Sequence, residues 1–176
     1  MTKLLILQHP QEPGVALGSA SLLKDIWPET TQKIGLSWRN LKHASGDETA
    51  QHAEWMVLYW GSGPKAQPMR SLQPPVLLEL SKKGTPIESR GPVKGLIVLD
   101  GTWSQAKTLW WRNAWLLKVR RAVLIPAEES LYGKKRKEPR KECLSSLESA
   151  ALALSLLNQD PIVYQQAREK FTEFLK

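Results

Sequence analysis

Four short apolar runs, separated by stretches of helical length, set what this chain can fold into. The runs are Leu4–Gln8, Trp55–Trp60, Gly95–Leu99 and Ala122–Ile125, with a weaker fifth at Lys33–Trp38, and each reads as a short buried strand. Ser19–Ile26, Trp103–Leu116, Ser145–Asn158 and Ile162–Leu175 read as helices. Strands alternating with helices argue for an α/β fold built on a mainly parallel sheet flanked by helices. A chain of 176 residues fits one domain with a sizeable core, so residues 1–176 are expected to form a single unit. Two segments interrupt the pattern. Pro64–Pro75 carries four prolines and Pro126–Leu144 carries Gly133, and both are expected to be loops.

Charge falls mainly in the second of these loops. Lys134-Lys135-Arg136-Lys137-Glu138-Pro139-Arg140-Lys141 holds six bases and one acid, a local +5 in a chain whose formal net charge is +8. A concentrated cationic segment suits a polyanion, because each neutralised phosphate releases counterions. It also serves simply as a solvated, solubilising loop, and charge alone leaves both readings open. No apolar run approaches the roughly 20 residues that span a bilayer. The start of the chain is too briefly apolar for a signal peptide, so a cytoplasmic protein is expected. Cys143 is the only cysteine, which rules out an internal disulfide or an all-cysteine zinc site. His9, His43 and His52 lack metal-ligand spacing, and no metal is expected.

In parallel α/β sheets, ligands bind beyond the carboxyl ends of the strands. Three such ends stand out: Leu58-Tyr59-Trp60-Gly61-Ser62-Gly63, Val98-Leu99-Asp100-Gly101-Thr102-Trp103, and Leu124-Ile125-Pro126. In the second, Asp100 is expected as the first charged group after the strand. Gly101 permits a tight turn, and Thr102 or Ser104 can cap the next helix. Asp100 also reads as an ordinary acid at a helix N-terminus. Trp103 forms a stripe with Ala106, Trp110 and Ala114 that reads as core packing. Trp110, Trp111 and Trp115 read mostly as core, although an exposed one could stack on a base. Ser145 and Glu148 form an S-x-x-E capping box, and the helix it opens offers free N–H groups to a carboxylate.

These segments, taken in order, resemble the DTW-domain family, the tRNA-uridine aminocarboxypropyltransferases. Asp100-Gly101-Thr102-Trp103 matches the D-x-T-W motif, and His9-Pro10-Gln11-Glu12 matches an H-P-x-E motif after the first strand. Ser130-Leu131-Tyr132-Gly133-Lys134-Lys135-Arg136-Lys137-Glu138-Pro139 is similar to S-x-Y-x-x-R-K-E-P with one additional residue. Leu144-Ser145-Ser146-Leu147-Glu148-Ser149 is similar to L-S-T-L-E-A, with Ser146 and Ser149 as conservative departures. The N-terminal cysteines of many bacterial members are absent, which removes the zinc site they suggest and raises the prospect of a different target.

The resemblance implies a SPOUT-like domain with a C-terminal trefoil knot, a topology that periodicity alone cannot reveal. It implies S-adenosyl-L-methionine as donor of a 3-amino-3-carboxypropyl group to N3 of a uridine, in tRNA foremost and in rRNA otherwise, with methylthioadenosine as product. Asp100 is then the catalytic candidate, either accepting the N3 proton or binding the donor's α-ammonium. Trp60, Gly61, Ser62, Leu99, Ile125, Tyr132 and Leu144 would line the cofactor pocket, with Thr102, Trp103, Ser145 and Ser146 at the helix starts beside it. Lys134, Lys135, Arg136, Lys137, Arg140 and Lys141 would hold RNA phosphates, with His9 and Glu12 at the rim. The rival readings are a SPOUT-type RNA methyltransferase using the same cofactor and a non-catalytic RNA-binding module.

Overall fold

The computed structural model describes residues 1–11, 20–58, 75–125, 146–174 and 176. Seven strands form one sheet: β1 (Lys3–Gln8), β2 (Thr30–Ile34), β3 (Trp55–Leu58), β4 (Val76–Leu80), β5 (Pro86–Ile87), β6 (Gly95–Asp100) and β7 (Arg120–Ile125), in the order β2-β1-β6-β3-β7-β4-β5. The first five in that order run parallel, and β4 and β5 close one edge antiparallel. Among the described residues, five helices accompany the sheet: α1 (Ala20–Ile26), α2 (Leu41–Ser45), α3 (Trp103–Arg112), α4 (Ser146–Asn158) and α5 (Pro161–Phe174).

Successive side chains on a strand point to opposite faces, and the central strands are apolar on both. Leu4, Ile6, Met56, Leu96 and Val98 join a core with α1, α4 and α5. Leu5, Leu7, Trp55, Val57, Ile97 and Leu99 join a second core with α2 and α3. The result is three layers, helices–sheet–helices. Gly95 is required where β3 and β6 pair: a Cβ there would lie 2.3 Å from the ring of Trp55, its partner in register.

Several elements differ from the sequence reading. The fifth strand lies at Thr30–Ile34, not Lys33–Trp38. The chain leaves the sheet after Ile34 because Asn113 captures it: Asn113 Oδ1 accepts the Trp38 N–H at 2.9 Å, and Asn113 Nδ2 donates to Leu36 O at 3.0 Å. The same residue ends α3 at Arg112, four residues short of Leu116, and a 3₁₀ turn follows over Ala114–Leu117. Ala114 is consequently exposed, outside the core stripe of Ala106 and Trp110. Asp100 is the last residue of β6 itself, paired with Gln8, and does not follow the strand. The third strand ends at Leu58, and residues 59 and 60 lie outside the described residues. The sequence reading lacked β4, β5 and α2.

Beneath the β4–β7 pair is a buried ion pair. Arg120 donates from Nη2 to Glu79 Oε2 at 2.7 Å and from Nε to Oε1 at 3.0 Å, with the two side chains 2% and 3% exposed. Arg90 adds its Nε at 2.7 Å and its backbone N–H at 3.2 Å. Burial pushes the Glu79 carboxyl up, but these donors outweigh it and hold the group at about 2.

Candidate functional site

β1 and β6 are neighbours within the parallel part of the sheet, and the chain leaves them toward opposite faces. After β1 it passes through α1 on one face to β2, and after β6 through α3 on the other face to β7. Divergence of this kind opens a crevice at the carboxyl ends of the two strands, where parallel α/β proteins place their ligands. The residues there are Gln8, His9, Pro10 and Gln11 after β1, and Asp100, Gly101 and Thr102 after β6.

Asp100 is fully buried. Its side chain points to the α1/α4/α5 side by alternation with Leu96 and Val98, as does that of Gln8 after Leu4 and Ile6. The two are cross-strand partners, and Gln8 Nε2 donates to Asp100 Oδ2 at 2.8 Å. Gln32, on β2, donates its Nε2 to Gln8 Oε1 at 2.7 Å. Three adjacent strands thus contribute one directional chain of amide-to-acceptor bonds ending on the carboxylate. A carboxylate accepts but does not donate, so Gln8 must turn its NH₂ toward Asp100 and its oxygen toward Gln32.

The rim is knit together by short polar contacts. The His9 N–H donates to Asp100 O at 3.0 Å. The Gln11 N–H donates to His9 Nδ1 at 3.3 Å, which places the proton of a neutral His9 ring on Nε2. Gly101 has φ +154°, and a Cβ there would meet Gln105 Cβ at 2.8 Å and His9 Cβ at 3.4 Å. A side chain at position 101 would therefore press on Gln105, the residue that closes the capping box of α3. Thr102 is the N-cap of α3 in a complete capping box: the Gln105 N–H donates to Thr102 Oγ1, and the Thr102 N–H donates to Gln105 Oε1. Gln105 Nε2 also donates to Gln11 Oε1 at 3.2 Å, tying α3 to the segment after β1.

The structure therefore brings together His9, Leu99, Asp100, Thr102 and the start of α3 at Trp103. It adds Gln8, Gln32, Gln11 and Gln105, which the sequence reading missed. The available signal was a polar residue, Gln8, ending an otherwise apolar run. Ile125 ends β7 at the same edge of the sheet and is 39% exposed. Ser146 opens α4, and Glu148 in its first turn is buried, with Arg168 Nη1 at 3.5 Å from Oε1. Glu12, Trp60, Gly61, Ser62, Tyr132, Lys134, Lys135, Arg136, Lys137, Arg140, Lys141, Leu144 and Ser145 lie outside the described residues. Among the described residues, no group of three His, Cys, Asp or Glu could hold a metal ion, and no helix is long and apolar enough to cross a membrane.

Chemically, this end of β1 and β6 holds a buried carboxylate in one orientation through Gln8, next in sequence to the capped N-terminus of α3. A buried carboxylate is suited to a cationic ligand or to a proton from a bound acid. A DTW-domain model matches residues 1–176. The chain is 28% identical over 166 residues to tRNA-uridine aminocarboxypropyltransferase 2 of Macaca fascicularis and of Mus musculus, covering 93% of this chain and 50% of theirs. It is 31% identical over 170 residues to the Drosophila melanogaster protein of the same name, covering 93% and 59%. The chain thus spans about half the length of these relatives. No solved structure matches it.

Proposed function

This chain belongs to the DTW-domain family, and we propose that it transfers the 3-amino-3-carboxypropyl group of S-adenosylmethionine to N3 of a uridine in tRNA. The observation that carries the reading is the buried Asp100 carboxylate, oriented by Gln8 at the divergence of β1 and β6, within the motif that names the family. The relatives' names supply the reaction class and the RNA.

The residues present fit such a donor. Its α-ammonium and sulfonium are cationic, and the carboxyl group of Asp100, withdrawn from water, suits a cationic partner. When bound, S-adenosylmethionine supplies an activated methylene next to sulfur and departs as methylthioadenosine. Leu99, Thr102, Trp103, Ile125 and Ser146, with Trp60, Gly61, Ser62, Tyr132, Leu144 and Ser145, would hold it.

Asp100 serves in one of two ways: as the acceptor of the uridine N3 proton, or as the anchor of the donor's α-ammonium. In either role the Gln8 amide holds Asp100 Oδ2 and so fixes the orientation of the carboxylate. The chain has little leaving-group chemistry to perform. Its task is to align the propyl carbon, and not the methyl, with the nucleophile, which is a matter of near-attack geometry. His9 and Glu12 would serve at the rim, and Lys134, Lys135, Arg136, Lys137, Arg140 and Lys141 would grip phosphates without reading sequence. N3 is engaged in a base pair, so the uridine must be unpaired or extruded. The reading carries with it a SPOUT-like trefoil knot in the C-terminal part of the chain.

The test is to incubate the purified protein with S-adenosylmethionine labelled in the carboxypropyl arm and with total tRNA, then to analyse nucleosides and small products by mass spectrometry. Labelled uridine with methylthioadenosine is expected. S-adenosylhomocysteine with a methylated nucleoside would move the assignment to a methyltransferase, and neither product would leave a non-catalytic RNA-binding module.

A further inference from the structure

Burial is described for six tryptophans, and one of them behaves unlike the rest. Trp27, Trp55, Trp110 and Trp115 are buried and Trp38 is half-buried, while Trp111 is 80% exposed. It stands on the outer face of α3, on the i, i+3, i+4, i+7 stripe that begins at Ser104 and passes through Lys107 and Thr108. The stretch Gly101–Ala127 contains no acid. Around Trp111 the exposed cations are Lys107, one helical turn away, Arg112, its neighbour, and Lys118 beyond the 3₁₀ turn. None of the three is ion-paired with a described residue.

We propose that this face of α3 is an RNA-binding surface, on which Trp111 stacks an unpaired base while Lys107 and Arg112 contact the flanking phosphates. The inference rests on the reading that the crevice modifies RNA. An exposed aromatic ring among unpaired cations is the combination that single-stranded nucleic acid recognises: a π-face for a base and charge for the backbone. A second copy of this chain fits poorly, because a two-fold contact would set Lys107 and Arg112 against like charges. Position supports the same occupant. The α3 N-terminus is fixed at the crevice by the Thr102–Gln105 capping box, and Trp111 lies eight residues beyond Trp103, roughly 12 Å along the helix. Asp100 turns its side chain to the other face of the sheet from α3, so nucleotides flanking a uridine held there would round the carboxyl edge of the sheet to reach this face.

The experiment measures binding of fluorescein-labelled uridine-containing single-stranded RNA and of transcribed tRNA by anisotropy, across a salt series, for the full chain and three variants. Trp111→Ala should weaken binding about 5- to 150-fold with an unchanged salt slope, and Trp111→Phe should retain most of the affinity. Lys107→Gln with Arg112→Gln should flatten the log–log salt slope by about 1.4. Wild-type affinity in Trp111→Ala overturns the inference, as does a wild-type dimer in sedimentation that Trp111→Ala abolishes. Product analysis separates the two proposals. Weakened binding in Trp111→Ala, with no methylthioadenosine from the wild type, supports this surface and removes the transfer reading. Transfer with unaltered RNA affinity and KM in Trp111→Ala removes this surface alone.

Discussion

Replacing Glu79 by leucine should cost about 3–5 kcal/mol of stability, because it strands a guanidinium that is 2% exposed. Arg120 would keep only neutral acceptors, Pro92 O at 3.1 Å, Gly91 O at 3.0 Å and Ser89 Oγ at 3.4 Å, none of which carries the compensating charge. The protonation equilibrium of Glu79 gives an independent magnitude. Its carboxyl sits at about 2 when folded against the usual 4.5, a difference worth about 3 kcal/mol. The folded value lies below the unfolded one, so this stabilisation is fully present above about pH 4.5. It is lost as pH falls from there toward 2. Urea unfolding followed by circular dichroism at pH 7 measures the first quantity, and the same titration at pH 3 and below measures the second. Glu79→Leu should unfold at lower urea with an unchanged slope, lower Tm by on the order of 10 °C, and lose the wild type's acid sensitivity in that window. Glu79→Leu combined with Arg120→Met should be more stable than the two single losses summed, since no buried charge remains unpaired. A Glu79→Leu cost below about 1 kcal/mol, or strictly additive losses in the double variant, would refute the argument.

Asp100→Asn should reduce transfer by at least about 100-fold while circular dichroism and Tm stay near wild type, and near-normal turnover would remove Asp100 from catalysis. Gln8→Leu takes from Asp100 and Gln32 the amide each is bonded to, so it should cost about 1–3 kcal/mol in urea unfolding. It should also lower kcat more than it raises KM. Gly95→Ala must move the Trp55 ring out of a 2.3 Å overlap and should cost about 1–3 kcal/mol or more, so an unchanged urea midpoint would show the β3–β6 contact to be looser than described.

The parts of this fold that repeat locally were legible in the residues. Leu4–Gln8, Gly95–Leu99 and Ala122–Ile125 each lie within an observed strand, and α1, α4 and α5 begin or end within a residue or so of expectation. The glycine turn pointed to Thr102 or Ser104 as the cap of α3, and the cap is Thr102. What stayed hidden depends on distant partners. Val76–Leu80 carries Glu79 as its fourth residue, which argues against a buried strand until Arg120, 41 residues away, supplies the counter-charge. Asn113 looked like one more helix position, yet its side chain binds Leu36, Trp38 and Leu109 at once and breaks the helix there. At the site, His9 and Asp100 could be nominated from their strand ends. That Gln8 is the residue gripping Asp100 follows only from the cross-strand register.

The pairing of β1 with β6 has a consequence for the chain while it is being made. Gln8 leaves the ribosome well before Gly95, and at 5–20 residues per second the delay is roughly 5–20 s. Through that interval the apolar segment Lys3–Gln8 has lost no surface to its central neighbour, and the early-made β2 can shield only one of its edges. Nascent chains should thus be most vulnerable to aggregation before residue 100 appears, and chaperone dependence should track the speed of translation through residues 8–100.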